Sequence, residues 1–239
     1  MACTIVRPHL CNITMWSMHE GKLANLRALR ELGDRLRIEF FAMHGTLLGW
    51  TFNQETLPWD EDLDFSFDGV HHPALLRFAH AHSGKQLLEN NSVSFFEMPG
   101  PRNHIEFRVQ HVPTRVYTDI TSLRATDNQT VLQWKVNSSP TNKTPPMLVM
   151  KSSFNSLKRG HQYRVDDVFP LAPCAIHGEP LHCPRSPHNV LLQEYPHYLR
   201  PLYQPPKGQS GQLKWRYERG CWHEVQHTST RRGWGGRRS

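Results

Sequence analysis

The sequence predicts a single α+β domain, on three observations. Leucines recur at helical spacing through residues 22–39, an apolar residue alternates with an acidic or small one across 62–67, and three further strand patterns fall between 94 and 123. A chain of 239 residues with 38% apolar and 10% aromatic side chains can bury a sizeable core, which excludes wholesale disorder. No run approaches the roughly 18 consecutive apolar residues of a membrane-spanning helix. No internal repeat is present.

Taken in order, Leu23, Leu26, Leu29, Leu32 and Leu36 form the apolar stripe of the first helix, with Lys22, Arg27, Arg30, Arg35 and Arg37 on its remaining positions. Phe40 to Met43 suit a short buried strand that ends at His44-Gly45, after which Thr46 is the expected cap of a brief helix through Trp50. Leu63, Phe65 and Phe67 read as the core side of a strand. Pro73 starts a helix that runs out near Gly84, burying Leu75, Leu76, Phe78 and Ala79. Strands are expected at Ser94–Met98, Ile105–Val109 and Arg115–Leu123, and a loop at 137–146, rich in Ser, Thr, Asn and Pro. Val168–Leu171 is short and apolar, and Val190–Tyr195 belongs to a last helix. The expected organisation is an N-terminal extension (1–21), the α+β domain (22–205) and a disordered, basic, low-complexity tail (206–239).

Charge locates a terminus rather than a function. The net +7 falls mostly in residues 206–239, where eight basic residues face two acidic ones and leave residues 1–205 at +1. The body is not a polycation, so no nucleic acid is expected as partner; an RNA-binding tail is the weaker alternative to a disordered one. Five cysteines are too few for a disulfide-dense scaffold, and the odd number leaves one unpaired. Cys174, His177, His182 and Cys183 carry metal-binding residue types, but their spacing matches no usual zinc finger. A Cys174–Cys183 disulfide across a hairpin and free buried thiols stay open there, the free thiols slightly preferred. Asn-x-Ser/Thr sequons at Asn12, Asn90, Asn128, Asn137 and Asn142 suit a secretory history, but so short a pattern arises easily by chance and the N-terminus shows no signal-peptide core, so these signals leave the compartment open.

The most informative stretch is His44 to Phe67, HGTLLGWTFNQETLPWDEDLDFSF. Asp60, Asp62 and Asp64 are spaced by two, so those in extended backbone share a face while Leu63, Phe65 and Phe67 point inward. Three carboxylates in one short reach repel one another unless a cation sits between them. Hard oxygen ligands of this kind favour Mg²⁺ or Mn²⁺, with the remaining positions left to water and substrate phosphates. A merely solvated acidic edge fits less well, because Trp59 and Leu63 bracket the acids and Pro58 fixes their entry. A helix–loop–helix Ca²⁺ loop fails for want of the sixth-position glycine and twelfth-position glutamate.

Gly45-Thr46-Leu47-Leu48-Gly49-Trp50, a spacer, and Leu57-Pro58-Trp59-Asp60-Glu61-Asp62-Leu63-Asp64 resemble the signature of the LicD family. That family includes fukutin, fukutin-related protein and a fungal branch implicated in mannosylphosphate transfer. Tyr117-Thr118-Asp119-Ile120-Thr121 is similar to the family's second acidic strand, and Val168-Phe169-Pro170-Leu171, Gly178, Cys183-Pro184 and Leu191-Leu192-Gln193-Glu194-Tyr195 follow its closing pattern. Glu61, where Asp is common, and Pro196, where Gly usually follows, depart from it.

The resemblance implies a nucleotidyltransferase-like mixed β-sheet flanked by helices. It also implies a phosphotransferase that moves a phosphorylated sugar or alcohol, such as mannose phosphate, phosphocholine or ribitol phosphate, from a CDP- or GDP-linked donor to a glycan hydroxyl. Asp62, Asp64 and Asp119 are then the expected catalytic acids, and with Asp60 the expected ligands of Mg²⁺ or Mn²⁺. Gly45 and Thr46 would offer backbone N–H groups to the donor phosphate, with Gly49 a packing position. Arg102, Arg124, Lys151 and Arg164 are candidate phosphate cations, and His44 reads as a buried, hydrogen-bonded histidine. A Golgi or other secretory location follows from the resemblance, with association to a membrane surface or a partner transferase. Two rivals remain: a DxD-type glycosyltransferase, and a non-catalytic regulator of a mannosylphosphate transferase.

Overall fold

The computed structural model describes residues 13–57, 60–82, 85–98, 105–125, 147–150, 161–196, 202–203, 214–218 and 221–225. The expected α+β architecture is what it contains: one mixed sheet with helices packed on it. Helix α1 (Ile13–Leu36) starts inside the stretch expected as an extension, and buries Ala24, Leu26, Ala28, Leu29 and Leu32. Each such leucine contributes about 1.5–3 kcal/mol by leaving water. The helix stops where Arg37 turns left-handed (φ 56°) and Ile38 N–H reaches back to the Gly33 carbonyl at 2.9 Å, a Schellman-type ending. Its buried stripe also takes in Lys22 and Asn25, which corrects the placing of Lys22 on the polar face.

The elements that follow are β1 (Phe41–Ala42), α2 (His44–Asn53), β2 (Leu63–Asp68), α3 (His72–His82), β3 (Gln86–Leu88), β4 (Val93–Glu97), β5 (Phe107–His111) and β6 (Tyr117–Ala125). After them come β7 (Met147–Met150), β8 (Gln162–Arg164), the short α4 (Val165–Val168), β9 (Ala172–Ile176), β10 (Glu179–Cys183) and α5 (Pro187–Glu194). The sheet runs β3-β4-β5-β6-β2-β1-β10-β9, with β7 also on β6 and β8 on β7. Two pairings are parallel, β2 with β6 and β1 with β10; the rest are antiparallel. Helix α1 packs on β5, β6 and β10, α3 on β4, and α2 on β2 and α5.

The alternation in β2 holds: Leu63, Phe65 and Phe67 are buried, and Phe67 sits between the rings of Phe40 and Phe107 at 6.2 and 6.1 Å. The opposite side of β2 presents Asp64 and Ser66, the latter bonded to Thr121 of β6 at 3.0 Å. Strands β3, β7 and β8 were not expected, while the β9–β10 hairpin is the one left open for Cys174 and Cys183. The loop expected at 137–146 lies outside the described residues, as do four of the five sequons. Within the stretch expected as a disordered tail, β12 (Lys214–Glu218) and β13 (Cys221–Val225) are regular, and with β11 (Leu202–Tyr203), which precedes that stretch, they form a separate antiparallel sheet. Trp215, Tyr217, Trp222 and Val225 supply strand propensity there that a reading by net charge overlooks.

Candidate functional site

The site grows from the junction of β1, α2 and β2. Met43 is the extended N-cap residue, and its N–H bonds the Asp64 carbonyl at 3.1 Å, tying the end of β1 to β2. Helix α2 therefore starts at His44, in left-handed backbone (φ 47°), two residues before the expected cap. Thr46 is not that cap: it is buried in the first turn, and its Oγ1 accepts the Asp64 N–H at 2.8 Å. Gly45 lets the acids come close. A Cβ there would stand 2.5 Å from Asp60 Oδ2 and 3.6 Å from Asp64 Oδ2. Carboxylates at this end of a helix are favoured by its dipole.

Of the three acids spaced by two, only Asp64 lies in β2; Asp62 sits at a bend and Asp60 before it. The bend, rather than strand alternation, gathers them. Asp64 lies directly opposite Asp119 in the parallel β2–β6 register. Asp62 raises the proton affinity of the Asp60 carboxyl and, across on β6, of the Tyr117 hydroxyl, so the three side chains lie within electrostatic reach of one another. Burial pushes the Asp60 carboxyl up to about 7, with Asp62 adding to it. Asp64 is held well above the ordinary carboxylate range, by burial first and by Asp62, Asp60 and Asp119 in turn, with His44 pulling the other way. Burial also raises Asp119, against Arg108. Asp60, Asp62, Asp64 and Asp119 thus feel one another's charge, and Gly45 and Thr46 lie beside them.

Three cationic side chains meet these acids, and two of them, Lys22 and Arg108, were not among the cations expected. Lys22 is 4% exposed, with Nζ donating to the Asp60 carbonyl at 2.6 Å and to Thr56 Oγ1 at 3.2 Å. Burial lowers its pKa, while Asp60 and Asp62 oppose that. Arg108 stands across from Asp119 in the β5–β6 register, donates from Nε to its Oδ1 at 2.7 Å and lies 4.0 Å over the Tyr117 ring. His44 Nδ1 bonds Glu194 Oε2 at 2.6 Å, which agrees with the hydrogen-bonded histidine expected. Among the expected cations, Arg124 pairs with Glu106 and Arg164 stands exposed on β8, while Arg102 and Lys151 lie outside the described residues.

The β9–β10 hairpin braces the loop that carries Asp60. Cys174 and Cys183 form a disulfide across it, which corrects the preference for free thiols. At its turn, His177 N–H donates to the Gln54 carbonyl at 3.0 Å, and Nε2 accepts the Thr56 N–H at 3.1 Å. Burial lowers this imidazole to about 4, so it stays neutral and can accept. Trp50 Nε1 donates to the Ala175 carbonyl at 3.0 Å. His182 lies beside Glu39, so the four Cys and His residues form no zinc site. Cys174→Ser with Cys183→Ser should cost about 2–3 kcal/mol in denaturant unfolding, and reductant should lower the stability of the wild type but not of the variant.

Whether Mg²⁺ or Mn²⁺ suits the site depends on its donors. Among the described residues, no three His, Cys, Asp or Glu side chains already stand as a metal-holding group. The donor chemistry nevertheless fits: hard carboxylate oxygens whose proton affinity is raised by burial and then by one another's charge are the groups a divalent cation would relieve.

Residues 37–186 match the family model described as LicD/FKTN/FKRP, nucleotidyltransferase domain. No curated protein matches the chain. The matched stretch runs from the end of α1 to the start of α5 and holds Gly45, Thr46, Asp60, Asp62, Asp64 and Asp119, as well as His44 and Arg108. Since the match takes in more than half of the 239 residues, the chain belongs to the LicD/FKTN/FKRP family and carries its nucleotidyltransferase domain.

Proposed function

We propose that this protein transfers a substituted phosphate from a CDP- or GDP-linked donor to a glycan hydroxyl. The observation that carries the reading is the facing pair Asp64 and Asp119 on parallel neighbours, with Asp60 and Asp62 drawn in at the start of α2. Asp60, Asp62, Asp64 and Asp119 would hold Mg²⁺ or Mn²⁺, which when bound supplies charge neutralisation at the donor's diphosphate. The acceptor oxygen forms a bond to the donor's β-phosphorus as the bond from that phosphorus to the bridging oxygen breaks, and a nucleoside monophosphate leaves. Asp119, whose proton affinity burial raises, takes the hydroxyl proton. Gly45 and Thr46 open α2 where its first N–H groups can meet a phosphate. Product mass tests this: the acceptor should gain a phosphate with its substituent while CMP or GMP is released. Gain of the sugar alone, with release of the nucleoside diphosphate, would assign a glycosyltransferase instead.

The Golgi lumen is our preferred location. The disulfide suits an oxidising compartment, and Asn90 stands exposed in the β3–β4 turn, open to glycosylation. No helix among the described residues is long and apolar enough to cross a membrane. Association with a membrane surface or a partner transferase belongs to the same proposal.

The raised carboxyls fix a pH signature. Asp60 binds its proton more tightly folded (about 7) than at its ordinary 3.8, so the folded state holds more protons between those values. The metal-free protein should therefore lose stability as pH rises from about 4 through 7. Mn²⁺ should restore it, with a larger thermal shift at pH 8 than at pH 5, where protons compete. Equal shifts at both pH values would count against carboxylate binding.

A further inference from the structure

Beside the acids lies a second buried group that the transfer chemistry leaves unused. Glu194, at the end of α5, has its side chain 2% exposed, and both of its oxygens are engaged: Oε2 with His44 Nδ1 at 2.6 Å and Oε1 with the Tyr163 hydroxyl at 2.6 Å. A buried carboxylate needs such partners to stay charged, and His44 supplies the counter-charge. Burial works against ionisation of both, yet their attraction lowers Glu194 and lifts His44 to about 9. His161 packs near both rings, 6.1 Å from His44 and 6.3 Å from Tyr163, and burial lowers its pKa. One positive charge is therefore held here, on His44.

Its place is unusual. His44 is the first residue of α2, in left-handed backbone that costs a non-glycine residue about 1–3 kcal/mol unless the surroundings impose it. The imidazole is 23% exposed, within electrostatic reach of Asp64 and Asp62, and Nε2 takes no hydrogen bond from any described residue. Of the other cations at the acids, Lys22 is buried on Asp60 and Thr56, whereas Arg108 gives only Nε to Asp119 and keeps its terminal N–H groups. A nucleotide diphosphate approaching four carboxylates needs a protein cation with a donor to spare.

Building on the function proposed above, we infer that His44, oriented by Glu194 and Tyr163, is a phosphate-binding cation for the donor's diphosphate, which it engages through Nε2. Glu194 and Tyr163 are positioning residues that act through His44. The charged imidazole is a hydrogen-bond donor and not the general base.

The test titrates inorganic pyrophosphate, with Mg²⁺ present, into the full chain by calorimetry, and follows the imidazole ¹⁵N signals of His44 by NMR. His44→Gln should weaken pyrophosphate binding about 10- to 100-fold, the worth of one charge-assisted hydrogen bond, and His44→Lys should recover part of it. Tyr163→Phe should weaken it less than Glu194→Gln. In the wild type, Nε2 should shift on binding while Nδ1 stays bonded to Glu194, a signature that a purely structural pair would not give and that does not depend on a variant folding. Binding by folded His44→Gln equal to wild type, or Nε2 unmoved by bound pyrophosphate, overturns the inference and leaves the transfer reading standing. Wild-type chain that binds neither pyrophosphate nor CDP or GDP with Mg²⁺ overturns both.

Discussion

Asp64→Asn should abolish transfer and at the same time leave the metal-free protein more heat-stable. The side chain sits among Asp60, Asp62 and Asp119 in a half-buried corner, and its carboxyl is strongly disfavoured as an anion there. The amide keeps the shape, removes the repulsion and leaves the Thr46–Asp64 backbone bond untouched. Removing a group that positions charge for the transition state costs on the order of 10²–10³-fold in rate, and more if the cation is lost as well. A stability gain of about 1 kcal/mol would raise Tm by about 2–4 °C in a chain of this size. Turnover assays and thermal melts on the same preparation read both effects. A variant that is less stable and still active would mean that Asp64 is an ordinary structural residue.

Gly49→Ala should damage fold and site together. A Cβ at this position would lie 2.7 Å from the Glu55 carbonyl oxygen, 2.7 Å from Leu57 N and 2.9 Å from the Thr56 carbonyl carbon. All three are backbone atoms of the loop that leads to Asp60, so none can swing aside as the end of a side chain would. Overpacking of this kind costs about 1–3 kcal/mol. Displacement of Thr56 would also strain its contacts with Lys22 and His177, and through them the Asp60 carbonyl that Lys22 holds. Gly45→Ala makes the informative contrast, because its nearest contact is the Asp60 carboxylate itself. It should cost activity with a smaller loss in unfolding free energy. Denaturant titrations of the two variants, read beside donor-binding thermal shifts, separate the effects.

What the sequence made legible followed from local periodicity. Leu63, Phe65 and Phe67 show the core side of β2 by alternation alone, and the run from Gly45 to Asp64 marks the acidic corner. Asp119 came only through the resemblance, because its register opposite Asp64 depends on a parallel pairing 55 residues away, which no local pattern encodes. Arg108 was missed for a related reason: only the β5–β6 register sets it against Asp119. Lys22 was placed on the solvent side because leucines defined the stripe, whereas the buried face of α1 lies to one side of Leu23 and Leu36. A lysine at such a position is buried when acids wait across from it, and its neighbours in the chain do not report them. His44 and Glu194 are 150 residues apart, so their pairing had no sequence signal beyond the presence of both in recognisable motifs. The β9–β10 hairpin carries Pro173 and Pro180, which demote a strand reading.

The most direct measurement is Mn²⁺ binding, followed by electron paramagnetic resonance, to the wild-type chain, Asp64→Asn, Asp119→Asn and the double variant, with and without CDP or GDP. If the acids of β2 and β6 make one cation-dependent donor site, the wild type binds Mn²⁺ saturably and more tightly with nucleotide. Each single variant then weakens binding at least about 10-fold, in line with the loss of a ligand or of its support, and the double variant shows none. Binding that is the same in all four proteins, or absent from the wild type even with nucleotide, would contradict the account.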